Sequence, residues 1–239
     1  EKDEGGFENW GESTRILRTD LFAFGFLASL KQNTLLITSI GSSHTVQLYE
    51  QDAQGSWVNS KAFFPLEDYD FSGGLLIQGD QIHIGSHHDT TGRGRVQIYS
   101  RNQGGMNNWG ALPGSHQPTA NATNDYFGSR ILLDEDTIYT KIRRLSFPSA
   151  PLTEGLYGGA VLFTPDPSTS TGWVEDKSLS FAMPYTFEEQ GGGFAVSNRA
   201  LVMTSGEEIA DPATARAYIW HLNELPIPDD LQVQTEEET

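Results

Sequence analysis

The 239-residue chain carries 32 acidic against 15 basic side chains, a formal charge of −17, so a phosphate backbone would be repelled and nucleic acid is not an expected partner. It has no cysteine, which removes disulfides, thiolate metal sites and cysteine nucleophiles. With 37% hydrophobic residues, 25 glycines, 11 prolines and no apolar run long enough to span a bilayer, the composition points to many short strands joined by tight turns.

In chain order, residues 1–8 form an acidic tail, residues 9–226 hold all the patterned sequence, and residues 227–239 form a second acidic tail. The patterned part is a repeat. Trp10, Trp57, Trp109 and Trp173 stand 47, 52 and 64 residues apart, each after a polar turn-like stretch. Before three of these turns runs an alternating strand that ends in an aromatic: Val46-Gln47-Leu48-Tyr49, Val96-Gln97-Ile98-Tyr99 and Val161-Leu162-Phe163. Ala217-Tyr218-Ile219-Trp220 is the fourth copy.

Each unit opens on a Phe-Gly-like step followed by two strands around a short turn. The first unit reads Phe24-Gly25, the turn Lys31-Gln32-Asn33, and a strand over Thr34–Ser39. In the second, Phe71-Ser72-Gly73 leads to Gln78-Gly79-Asp80 and Gln81–Ser86; in the third, Phe127-Gly128 leads to Asp134-Glu135-Asp136 and Thr137–Ile142. The last unit has only Gly191-Gly192-Gly193-Phe194, the turn Ser197-Asn198 and a strand over Ala200–Ser205. Period-2 strands, four to a unit, predict an all-β propeller of about four blades. The last unit lacks an outer strand while the chain starts with an orphan one, Asn9 through Leu17, so the N-terminal strand is expected to complete the last blade and remove both open edges.

The order Phe-Gly, strand, turn, strand, variable loop, Val-x-Leu/Ile-Tyr, Trp resembles the FG-GAP repeats of integrin-α-like propellers, especially their bacterial extracellular relatives. The resemblance implies a secreted, cell-surface or periplasmic binding or adhesion module. Many such repeats bind calcium between their first two strands. Here those turns are too short for the six to eight oxygen ligands calcium takes, and no cofactor is expected.

Four stretches that lead into the inner strands pair carboxylates with aromatic rings. They are Thr19–Phe22, then Asp68, Tyr69 and Asp70, then Asp125 and Tyr126, then Tyr185 with Glu188 and Glu189. Aromatic faces stack on the C–H surface of a sugar while carboxylates accept its hydroxyl protons, so these residues predict a glycan or protein ligand. The structural alternative has the tyrosines packing between blades and the aspartates capping turns. Arg143 and Arg144, in the longest insertion, are candidates to hold a carboxylate, sulfate or acidic sugar. His87, His88 and Asp89, just past the strand that contains His83, form a candidate metal set against the reading of a solvated loop. No nucleophile elbow, zinc helix or phosphate loop is present. A binding or adhesion propeller is therefore the first reading. The alternatives are a polysaccharide lyase or glycosidase on the same scaffold, or a structural module signalled by self-association.

Overall fold

A computed structural model describes residues 14–21, 23–39, 44–65, 71, 73–86, 94–117, 127–142, 159–182, 193–197, 200–204 and 217–221. The described chain is all β, in four antiparallel sheets laid out in sequence order. The first sheet holds β1 (Phe24–Lys31), β2 (Thr34–Ser39), β3 (Thr45–Gln51) and β4 (Trp57–Phe63). The second holds β5 (Leu75–Gln78), β6 (Gln81–Ser86), β7 (Arg95–Ser100) and β8 (Gly110–His116), and the third holds β9 (Ile131–Asp134), β10 (Thr137–Ile142), β11 (Gly159–Pro165) and β12 (Trp173–Ala182). Three described strands make the fourth: β13 (Phe194–Ser197), β14 (Ala200–Thr204) and β15 (Ala217–His221).

Within each sheet the strands pair with their sequence neighbours, and in the first three sheets two-residue turns join the first strand to the second. Gln32-Asn33 joins β1 to β2, Gly79-Asp80 joins β5 to β6, and Glu135-Asp136 joins β9 to β10, with positive φ at Gln32, Gly79 and Glu135. The third and fourth strands of the first three sheets are joined by larger turns, and a side chain organises each at its start. Asp52 Oδ1 accepts the amides of Gln54 and Ser56, Asn102 Oδ1 accepts that of Asn107, and Asp166 Oδ1 accepts both the amide and the hydroxyl of Ser168. A bulge follows in each outer pair, and in the second sheet the buried Gln97 amide fills it by donating to the carbonyls of Leu112 and Gly114.

The core lies in slabs between successive sheets. Leu36, Val46, Leu48 and Phe63 of the first sheet meet Ile77, Ile82, Ile84, Tyr99 and Trp109 of the second. Val96 and Ile98 of the second meet Ile131, Ile138, Val161, Phe163 and Trp173 of the third; Tyr139 and Leu162 of the third meet Leu201 and Met203 of the fourth. Alternation explains this division, since neighbouring residues on one strand serve opposite slabs. The first strands of the sheets, β1, β5, β9 and β13, lie side by side in that order.

The Phe-Gly steps do distinct work. Phe71 and Phe127 are driven fully into the slabs. Gly128 lets the third sheet touch the second backbone to backbone: the Gly74 amide donates to the Gly128 carbonyl at 2.8 Å, and Gly94 bridges Phe127. Ile16 and Leu17, the described end of the predicted N-terminal strand, form no strand, and Leu17 is exposed. Arg18 instead rests on the first sheet, its guanidinium donating to Asp20 and reaching Gln47 and Tyr49. The rest of that predicted strand, and Asn198 in the turn between β13 and β14, lie outside the described residues.

A Cβ at Gly85 would overlap the Gly128 carbonyl oxygen, whereas one at Gly79 meets nothing within 4 Å. Gly85→Ala is therefore expected to cost about 3 kcal/mol or more through overpacking of two backbones, and Gly79→Ala about 1 kcal/mol through its positive φ alone. Urea melts of the two variants check the order; a larger loss at Gly79 would contradict the close approach of the sheets.

Candidate functional site

Strand polarity separates two ends in the first three sheets. At one end are the tight turns, tied across sheets by Arg101, whose guanidinium pairs with Glu50 at 2.9 Å and Asp80 at 3.1 Å. Gln81, which opens β6 just after its turn, accepts a hydrogen bond from Trp173 Nε1 at 2.8 Å, and Ser170 donates to the Pro113 carbonyl at 3.0 Å. At the opposite end lie the starts of β5, β7, β9 and β11 and the ends of β4, β6, β8, β10 and β12.

The first candidate stretch stands before β1, where Asp20 pairs with Arg18 at 2.6 Å; the other candidate site residues belong to connections between strand ends of this second kind. Asp68, Tyr69 and Asp70 lie between β4 and β5, and His87, His88 and Asp89 between β6 and β7. Asp125 and Tyr126 lie between β8 and β9, Arg143 and Arg144 between β10 and β11, and Tyr185 between β12 and β13. All of these connecting residues lie outside the described residues.

Two described cations stand at this end of the third sheet. The Lys141 amide donates to the Arg130 carbonyl at 3.0 Å, just before the chain reaches Arg143. Burial and the neighbouring Arg130 charge hold the Lys141 ammonium below its ordinary pKa. Two cations side by side in a chain of charge −17 favour an anion in their neighbourhood.

A second concentration of polar chemistry lies inside the slab between the second and third sheets. His83 on β6 is fully buried, and His116 at the end of β8 nearly so. Their rings stack with centroids 6.1 Å apart and planes 10° from parallel. Trp173 meets His83 edge-on at 5.7 Å, and Phe163 lies 4.4 Å from His116. Among the described residues, neither ring nitrogen of His83 has a hydrogen-bond partner, nor has His116 Nε2, and Thr140 Oγ1 is likewise unpartnered. Register turns Thr140 toward the same slab, because it pairs with Ile131 and Val161.

Both histidines are neutral there. Burial pushes His83 down to about 3, with the His116 charge adding to the effect, and burial pushes His116 down to about 4. Strand alternation in the sequence separates His83 from the loop histidines but does not single out His116. Nothing local marks it, since its partner is on another strand of the sheet. Among the described residues, no three His, Asp or Glu side chains gather to hold a metal ion.

The histidine pair makes the slab sensitive to acid. Both folded pKa values lie below the ordinary imidazole value near 6.5, so the unfolded chain takes up protons first as the pH falls. The cost of burying these rings is smallest above pH 6.5, where they are neutral folded and unfolded, and grows progressively as the pH falls toward 3. Between pH 7 and pH 5 the expected loss is on the order of 2 kcal/mol per histidine. Denaturant melts at the two pH values check this, and a His83→Leu, His116→Phe double variant should lose the dependence.

No protein-family model matches this chain, and no curated protein matches it in sequence, so its functional reading rests on its own residues and geometry.

Proposed function

We propose that the four sheets are blades of an FG-GAP-like β-propeller and that the chain is an extracellular or periplasmic binding module which recognises a glycan. The observation that carries this reading is strand polarity. The Asp/Tyr stretches and the Arg143-Arg144 insertion all connect strand ends on one side of the sheets, while turns tied across sheets occupy the other. Rigid sheets with variable connections on one side are the arrangement by which loop residues from several units converge on a ligand.

Tyr69, Tyr126 and Tyr185 supply stacking faces, and Asp68, Asp70 and Asp125 supply hydroxyl acceptors. Arg130 and Lys141, followed along the chain by Arg143 and Arg144, favour a sugar that carries a carboxylate or sulfate. The N-terminal strand around Trp10 is the proposed fourth strand of the last sheet, whose edge strand β15 has no further described neighbour.

Two measurements test the reading. On a glycan array that includes sulfated and uronate-containing saccharides, wild-type protein should bind, and Tyr69→Ala, Asp125→Ala and Tyr126→Ala should each weaken binding about tenfold or more, equivalent to about 1.4 kcal/mol. Binding indifferent to all three substitutions would refute the placement. Deleting residues 1–17 should expose a sheet edge and cause aggregation or unfolding. A truncated protein with unchanged melting would remove the proposed strand.

A further inference from the structure

Phe24 opens β1 opposite Ser39, the last residue of β2, so the chain enters the first sheet at the end away from its tight turn. The Asp/Tyr stretches make the same kind of approach to β5 and β9. Arg18 and Asp20 form a two-pronged ion pair on this approach: Arg18 Nε donates to Asp20 Oδ1 at 2.7 Å, and Nη2 donates to Oδ2 at 2.6 Å. The third guanidinium nitrogen is held less well. Nη1 lies 3.4 Å from Gln47 Oε1 and 3.5 Å from the Tyr49 hydroxyl, both beyond the usual range of about 2.7–3.2 Å.

Buried groups beneath the pair fix where it stands. Gln47 donates to the Thr45 hydroxyl at 3.2 Å and accepts from Asn59 Nδ2 at 3.2 Å, and Thr45, Gln47 and Tyr49 are all buried. Tyr49 has two neighbours on this side: its hydroxyl faces Arg18, and its ring meets the Phe24 ring edge-on at 6.3 Å. Arg18 and Phe24 thus flank one tyrosine. Ala23, next to Phe24, is held at φ 44°, in the left-handed region that a side chain disfavours, so the turn into β1 is set against the backbone's own preference. The side chains above this support are accessible. Asp20 is 63% exposed and Arg18 26%, and Phe24 is partly exposed although its counterparts Phe71 and Phe127 are fully buried.

What remains available is an acceptor, a donor and an apolar ring. Asp20 has outward lone pairs that accept, and Arg18 Nη1 has N–H groups that donate. The two charges cancel, so neither an anion nor a cation gains much from the pair. A hydroxyl both donates and accepts, so neighbouring hydroxyls on one sugar ring match the two partners, while the C–H face of that ring matches the phenyl group. The hydrogen bond from Arg18 holds the Asp20 carboxyl down at about 2, which keeps the pair ionised through the neutral and mildly acidic range.

We propose that Arg18, Asp20 and Phe24 form a subsite for a neutral sugar residue, held by the ion pair through two neighbouring hydroxyls and stacked on the Phe24 ring. Gln47, Asn59 and Tyr49 position these three groups without needing to touch the ligand. The assignment rests on the glycan reading of the chain and deepens it. The cations of the third sheet favour an acidic sugar, whereas the self-neutralised pair of the first sheet selects an uncharged one.

The test uses the full chain and short saccharides, neutral and sulfated, titrated by calorimetry. Wild-type protein should bind both kinds. Phe24→Leu keeps an apolar side chain and removes the ring, and Asp20→Asn keeps the shape and removes the charge; each should weaken neutral saccharides about tenfold or more. Asp20→Asn also leaves the Arg18 charge uncancelled and should strengthen sulfated saccharides, a reversal that damage to the fold cannot produce. Neutral binding indifferent to both substitutions, equal weakening of both kinds of saccharide by Asp20→Asn, or wild-type binding of sulfated saccharides alone would overturn the subsite. If Tyr69→Ala and Tyr126→Ala still weaken binding in those cases, the glycan reading stands without it. A wild-type protein that binds neither kind of saccharide would overturn both.

Discussion

Between the second and third sheets two backbones approach so closely that most other features of the described structure follow from that contact. Gly74 donates to the Gly128 carbonyl and Gly94 bridges Phe127, so neighbouring sheets are joined by main-chain contacts at one end as well as by side chains between them. Gly85 lies against the same Gly128 carbonyl, which leaves no room for a side chain. Once that contact is made, the spacing of the slab is set, and Phe127, Ile98, Val161 and Phe163 must fill what remains. Burial of each large aliphatic or aromatic side chain then contributes about 1.5–3 kcal/mol, so the slabs supply the main driving force while the glycines supply the geometry.

Polar groups at the opposite end tie neighbouring sheets together. Arg101 joins Glu50 of the first sheet to Asp80 of the second and lies over the Trp109 ring, with its guanidinium carbon 4.6 Å from the ring centroid. Lys61 of the first sheet donates to Asn108 and to the Trp109 carbonyl, so the turn that presents Trp109 is fixed from two sides. Trp173 has a different tether, the Gln81 side chain of the second sheet. The repeated tryptophan is thus held by whichever preceding sheet it packs upon.

Set inside an otherwise apolar slab, His83 and His116 run against the economy of the fold. Their unpartnered nitrogens carry a desolvation cost that leucine or phenylalanine would not. What they add is a response to acid in a slab whose other described members do not titrate. Lys141, by contrast, faces the fourth-sheet side of β10 with Tyr139, where burial and Arg130 together weaken its hold on a proton. Titratable groups on the two sides of the third sheet therefore have different roles, one inside the packing and one at its rim.

Strands and turns were legible in the residues alone. The alternation in Val46–Tyr49 and Val96–Tyr99 and the turns at Gln32-Asn33, Gly79-Asp80 and Glu135-Asp136 are local properties, written in period and turn chemistry, and the strands fall where those signals place them. The grouping of the Asp/Tyr and Arg143-Arg144 stretches was legible too, because strand polarity follows from counting alternate strands. Packing in three dimensions was needed to show which side of each sheet meets its neighbour, that Asp52, Asn102 and Asp166 organise their turns, that His116 stacks on His83 from 33 residues away, and that Ile219 and Leu30 are left uncovered. The physical reason is that a strand pattern specifies two sides without saying what covers either. Contact between sheets is non-local: Phe127 is fully buried where the third sheet meets the second, and the same Phe-Gly step at Phe24 is half-exposed.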